Sequence, residues 1–280
     1  MNTDSYYEIG TSHIVCEDHA IHGEYEGLHY VIGADGCSSS EGVELGSALL
    51  CHVAKKQIMQ LHKSSRLFEL FCQTKPAARD IATILETAIV QNCLDLKSSL
   101  KLGRTAFDAT LWIAVSITDL LFVFGWGDGV MILKDKDGTH TTVRRYDSNA
   151  PYYLSYQMDY QRNQDYNNME FKGKLNESWE LGTEREFTNI YDANQSFYYT
   201  GRKSMLKSVT ICSDGIETYR KSDAAAGFVK TSDVAVELTD YKNLVGSFVE
   251  RRMLKLKKVH KEQNIVHLDD VFCATINLEE

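Results

Sequence analysis

An apolar, β-branched run that stops abruptly at an acid recurs from one end of the chain to the other. It occurs at Val15 to Asp18 (VCED), Leu28 to Gly36 (LHYVIGADG), Phe122 to Gly129 (FVFGWGDG), Val209 to Gly215 (VTICSDG) and Val266 to Val271 (VHLDDV). Each apolar run reads as a buried strand, and each acid projects from that strand's end. One Asp–Gly pair is only a turn. Strand ends far apart in sequence that all carry acids converge when the strands lie side by side, and no local turn requires that spacing. Several carboxylates within a few ångströms repel one another and titrate upward unless cations sit among them. Such a cluster therefore implies bound metal, and ligation by oxygen alone points to magnesium or manganese.

With 280 residues and 43% apolar content, the chain can bury one large core, and a single domain spanning residues 1–280 is expected. No apolar run is long enough to cross a bilayer, and the opening MNTDSYYEIG lacks the basic-then-apolar form of a secretion signal. A soluble, cytoplasmic protein with no membrane partner is the expectation. The net charge of -9 argues against nucleic acid as a main partner and suits a site that collects divalent cations. Cys16, Cys37, Cys51, Cys72, Cys93, Cys212 and Cys273 stand singly, so they read as reduced thiols and not as a disulfide frame or zinc site. His13, His19, His22 and His29 show no pairing on a helix face with a nearby thiol or carboxylate of the kind that marks zinc, and they read mostly as surface residues.

In chain order, Tyr6 to Val15 reads as a first strand, or as a hairpin with the strand ending at Asp35, with Glu17 and Asp18 leaving its end. Gly42 to His62 sets Val43, Leu49, Leu50, Val53, Ile58 and Leu61 at helical spacing. Ala77 to Leu102 repeats the pattern behind Pro76, a favoured helix start. Ala109 to Leu133 reads as three consecutive antiparallel strands, and Asp135 with Asp137 as a surface turn lacking the other ligands of a calcium loop. From Tyr146 to Gly201 tyrosine, amide and charged residues dominate. This stretch is expected to be an insertion or flap built around NAPYYL and WELGTEREF, with Tyr152, Tyr153, Tyr156, Tyr160 and Trp179 as its contact surface. Val209 to Cys212 resumes the core, Ser213 to Ile216 leads into a helix, Lys242 to Lys261 is amphipathic, and Asp270 to Leu278 is the last strand.

With its order of strand, ED, strand, ADG, two helices, strands, GDG, insertion, SDG, helix, DD and strand, the chain resembles the metal-dependent protein serine/threonine phosphatases of type 2C. The resemblance covers Ser12 to Ile276 and is thinnest over the insertion. It implies an α+β fold, a four-layer α-β-β-α sandwich with two central antiparallel sheets flanked by helix pairs. It also implies roles. Asp35 bridges two ions, Mn2+ or Mg2+; Gly36 gives one of them its backbone carbonyl and Glu17 serves the same ion, while Asp214 and Asp269 hold the other. Asp18 orients the attacking water, and Asp128 with Asp214 matches the pair that holds a third, weaker metal in many bacterial members. Two cations roughly 4 Å apart screen a phosphate monoester that bare carboxylates would repel. The implied substrate is a phosphorylated protein, and a monomer is expected.

Two positions depart from the family pattern. Where many members carry an arginine that grips substrate phosphate, four residues before the acid of the ED motif, this chain has His13, which makes phosphate affinity lower or pH-dependent. Where many eukaryotic members have a histidine after the first DG, it has Cys37, a poor proton donor to a leaving group. These departures motivate a second reading, a weak or inactive relative that binds metal or phosphoprotein; a phosphatase of small phosphorylated metabolites is a third.

Overall fold

Strands buried on both faces organise the molecule. The computed structural model describes residues 1–64, 76–146, 149–169, 175–181, 185–191, 196–222 and 227–279; Cys72 and the side chains of WELGTEREF, Trp179 among them, lie outside the described residues. One antiparallel sheet orders β1 (Asn2–Glu8), β14 (Val271–Asn277), β11 (Ser208–Cys212), β6 (Gly129–Lys134), β7 (Thr139–Tyr146), β8 (Leu175–Leu181) and β9 (Arg185–Tyr191). The other orders β10 (Phe197–Arg202), β5 (Leu120–Trp126), β4 (Leu111–Ile117), β3 (Leu28–Ala34) and β2 (His19–Tyr25).

Alternate residues of the same strand feed different layers, which is why these runs read as continuously apolar. Tyr30 and Ile32 of β3 pack with α1 (Val43–Lys63) and α2 (Pro76–Leu100), while Val31 faces the other sheet with Trp112, Met131 and Phe272. On β14, Val271 and Cys273 pack with α4 (Thr231–Leu238) and α5 (Phe248–Glu262), and Phe272, Ala274 and Ile276 enter the layer between the sheets. The expected α-β-β-α arrangement is present. Gly33 makes one close approach possible, since a Cβ there would stand 2.1 Å from the Phe272 ring. Burying that phenyl group contributes about 2–3 kcal/mol.

Register brings the acidic strand ends to one edge. His19 at the start of β2 pairs with Ala34 at the end of β3, and Gly33 pairs with Trp112 near the start of β4. Leu111 pairs with Trp126 at the end of β5, and Cys212 pairs with both Val130 and Cys273. Of the three expected consecutive strands, β4 and β5 form a hairpin, but β6 crosses into the other sheet through Gly127 (φ +84°) and Gly129 (φ +138°).

Three further expectations about the elements need correction. The first strand is Asn2–Glu8 and pairs with β14, not with β3. Residues 9–18 instead pass from one sheet to the other, because buried Asp270 accepts the amide N–H of Gly10 (2.8 Å) and of Glu17 (2.6 Å). The SDG segment makes only a single 3-10 turn, Asp214–Thr218, in which the Thr218 hydroxyl donates to the Gly215 carbonyl, before β12 (Tyr219–Lys221) pairs with β13 (Ile265–His267). The last helix starts at Phe248, where the Asp4 carboxylate of β1 accepts the Val249 N–H at 2.6 Å and satisfies an otherwise orphan donor.

Within the 146–201 stretch, β8 and β9 extend one sheet beyond β7, and β10 forms the edge of the other. Between β7 and β8, α3 (Tyr160–Asn168) follows a 3-10 turn, Leu154–Met158, and Tyr146, Tyr152, Tyr156 and Tyr166 make a cluster of their own. No helix among the described residues is long and apolar enough to cross a membrane.

Candidate metal centre

Asp35 leaves β3 in a backbone clasp. Its N–H donates to Thr110 Oγ1 (3.2 Å), its carbonyl accepts the Thr110 N–H (2.8 Å), and the Cys37 N–H donates to the Asp108 carbonyl (2.8 Å). Gly36 fits against the Glu17 segment, for a Cβ there would lie 2.9 Å from the Glu17 carbonyl oxygen. Asp18 is buried and receives the Ser213 hydroxyl on Oδ2 at 2.7 Å; Ser213 Oγ in turn accepts the Phe272 N–H at 3.0 Å. Asp128 occupies the glycine-flanked turn between β5 and β6, and its carbonyl accepts the Trp112 indole N–H at 2.6 Å. Asp214 opens its 3-10 turn beside the Asp270 backbone, so close that a Cβ on Gly215 would stand 1.8 Å from the Asp270 carbonyl oxygen. Thr218 accepts the N–H groups of Leu268 and Asp269 at 3.1 Å each, which sets Asp269 opposite that turn.

The electrostatics show which acids meet. Burial drives the Asp35 carboxyl well above the usual range, and the charges of Asp18, Asp214, Asp128 and Asp269 push it further. Asp18 and Asp128 are also raised chiefly by burial, with Asp270 and Asp214 acting on the first and Asp214 on the second. Burial, then Asp269, lifts Asp214 to about 6. Glu17 is raised by burial, with His13 opposing and Asp270 and Asp269 adding. The structure therefore brings Asp18, Asp35, Asp128, Asp214 and Asp269 into one group and sets Glu17 at its flank with His13 and Asp270. Asp18 Oδ1 and Glu17 Oε2 are buried without a hydrogen-bond partner.

His13 does not sit on an open surface. Its Nε2 is 3.1 Å from Asp269 Oδ1, and its Nδ1 is 3.3 Å from Asp270 Oδ2 and 3.6 Å from Glu17 Oε2. His29 is buried too, on a strand where every position is buried, which corrects its reading as a surface residue. Sequence reasoning passed over Asp270 and Ser213 as site residues and placed Tyr153 only in the contact surface of the flap. Asp270 was visible as the second acid of the DD pair, whereas nothing local marks Ser213 as the partner of Asp18. Tyr153 is buried beside the group, and its hydroxyl is pushed up by burial and by the nearby charges of Cys37, Asp128 and Asp35.

A chain whose buried acids crowd in this way has recognisable relatives. The family model described as Protein phosphatase 2C matches residues 9–256. A crystal structure of a bacterial serine phosphatase carrying a point mutation superposes with a TM-score of 0.58 at 11% identity, covering 100% of this chain and 98% of that one. The serine/threonine phosphatase Stp1 from Staphylococcus aureus gives 0.54 at 11% identity, covering 100% and 96%. The S. agalactiae serine/threonine phosphatase gives 0.53 at 12% identity, covering 99% of each chain. No curated protein shows a significant sequence match.

Proposed function

The chain belongs to the protein phosphatase 2C family, the metal-dependent serine/threonine phosphatases, and on that footing we propose that its acid group holds two divalent ions of the manganese or magnesium class. Asp35, Glu17, the Gly36 carbonyl, Asp214 and Asp269 would hold those ions, and Asp128 with Asp214 would offer a third, weaker position. The observation that carries this reading is the crowding itself. Carboxylates from residues 18, 35, 128 and 214 lie together, Asp18 and Asp128 buried and Asp35 and Asp214 half-buried, all raised above the ordinary range, and Asp18 Oδ1 and Glu17 Oε2 lack any protein donor. Buried acids without donors fit a set of cation ligands.

Bound there, divalent ions supply Lewis acidity toward a phosphoryl oxygen and lower the pKa of water toward neutrality. The protein contributes position. Ser213 pins Asp18 through Oδ2, which leaves Oδ1 able to accept a hydrogen bond from an attacking water. The Thr110 clasp fixes the direction in which Asp35 leaves its strand, and Thr218 does the same for Asp269. Tyr153, buried near Asp128 and Asp35, adds an aromatic wall beside the group.

The test is phosphate release from phosphoserine and phosphothreonine peptides with Mn2+ or Mg2+, beside a panel of phosphorylated metabolites. Peptide turnover that stops with chelator supports the reading. Turnover confined to metabolites removes the protein substrate, and cation binding with no hydrolysis of either panel makes the chain a binding module.

A further inference from the structure

At the flank of the acid group, three side chains from distant parts of the chain present one donor atom each. We propose that His13, Glu17 and Asp270 form a site of their own for a borderline transition ion, with Zn2+ as the type case. The donor atoms of the three lie within 4.8 Å of one another. His13 Nδ1 stands 3.3 Å from Asp270 Oδ2 and 3.6 Å from Glu17 Oε2. An ion bonded at about 2.1 Å in tetrahedral geometry separates its ligand atoms by about 3.4 Å, against roughly 3.0 Å between neighbours in an octahedron. Both separations from His13 are closer to the tetrahedral value, which suits an ion that accepts nitrogen and oxygen together.

Two further observations point to a ligand. Glu17 Oε2 is buried without a hydrogen-bond partner, and its 3.6 Å separation from the imidazole is too long for one. The other face of His13 has the support usual for a metal-bound histidine. Nε2 lies 3.1 Å from Asp269 Oδ1, so a proton on Nε2 donates to that carboxylate and leaves the Nδ1 lone pair toward Glu17 and Asp270. Asp270 is itself held, its two oxygens accepting the Gly10 and Glu17 N–H groups. The oxygen-only reading of this chain's metal chemistry thus leaves out a nitrogen donor.

The site shares Glu17 with the proposed two-ion cluster but does not depend on that cluster's catalytic role. The test uses the full chain after chelator treatment and dialysis. Zn2+ is titrated calorimetrically, and Co2+ is added as a spectroscopic stand-in, into the parent, His13→Ala, His13→Gln and Asp35→Asn. Expected is a Zn2+ site weakened at least about 100-fold in both His13 variants. The parent and Asp35→Asn should share an intense visible Co2+ spectrum of the four-coordinate kind, which the His13 variants lose. The proposal is overturned if a folded His13 variant binds Zn2+ like the parent, or if the parent's Co2+ spectrum is weak and octahedral. Because Asp35 lies outside the trio, retained Zn2+ binding in Asp35→Asn with no phosphate release separates this site from the catalytic reading, and failure of that reading leaves the zinc titration intact.

Discussion

Arg162 sets Nη1 and Nη2 at 2.8 and 2.6 Å from Asp108 Oδ1 and Oδ2, a two-pronged pair that ties α3 to the loop before β4. Ser155 and Ser40 donate to the same carboxylate at 2.6 and 3.0 Å, and the guanidinium lies 4.7 Å over the Tyr156 ring. Four segments are thereby joined at one acid beside the candidate centre.

Arg162→Ala leaves the Asp108 charge buried with two hydroxyl donors and only the Lys97 charge to oppose it. The expected loss is about 3–5 kcal/mol of stability, read as a lower denaturant midpoint. Arg162→Lys keeps the charge without the fork and recovers only part of that loss. Equal midpoints for parent and Arg162→Ala would show that the pair contributes nothing.

Ser213→Ala removes the donor to Asp18 and the acceptor of the Phe272 N–H together. Each orphaned buried group costs about 1–3 kcal/mol. Loss of the group that orients Asp18 should also lower metal-dependent phosphate release about 10- to 100-fold. Turnover of the folded variant reads the second effect separately from the first.

Asp35→Asn should lower metal-dependent phosphate release at least about 100-fold, as loss of a direct ligand exceeds loss of an outer one. The same change should raise the melting temperature of the chelated protein, because it removes one of several crowded like charges. Activity equal to the parent's would reject the assigned role.

In the chelated protein Asp214 titrates near 6, against 3.8 for the unperturbed group. The folded state holds the proton more tightly than the unfolded chain, so this contribution is complete below about pH 4 and is lost as pH rises through about 6. The melting temperature with chelator should therefore fall between about pH 5 and pH 7. Asp214→Asn should flatten that slope, and Mn2+ should offset it at neutral pH. A slope unchanged by Asp214→Asn would place the titration elsewhere.

Gly215→Ala brings a methyl group within 1.8 Å of the Asp270 carbonyl, where backbone meets backbone and no side chain can swing away. The expected cost is about 3 kcal/mol or more, with weaker Mn2+ binding, because the overlap pushes Asp214 away from Asp269.

Much of this was legible in residue order. The helical spacing of Leu50, Val53, Ile58 and Leu61 sufficed for α1, and their burial agrees with it. The runs ending at Asp35, Asp128 and Asp214 announced strands with acids at their ends, since continuous apolarity over five to seven residues marks a strand buried on both faces. The beginning of the chain was misread because alternation marks a strand without naming its partner. β1 pairs with β14 across nearly the whole sequence, and the loop after it is held by Asp270.

The sequence by itself determined the α+β class, the two helix blocks and the presence of acids suited to cations, because propensity, periodicity and charge are properties of neighbouring residues. Only the tertiary structure decided which acids touch. It turned His13 onto Glu17, Asp269 and Asp270 instead of outward, left Asp18 with Ser213 as its partner, and sent β6 away from β5 into the second sheet. Those choices depend on long-range register and close packing, to which residues hundreds of positions apart contribute together, and no local pattern encodes them.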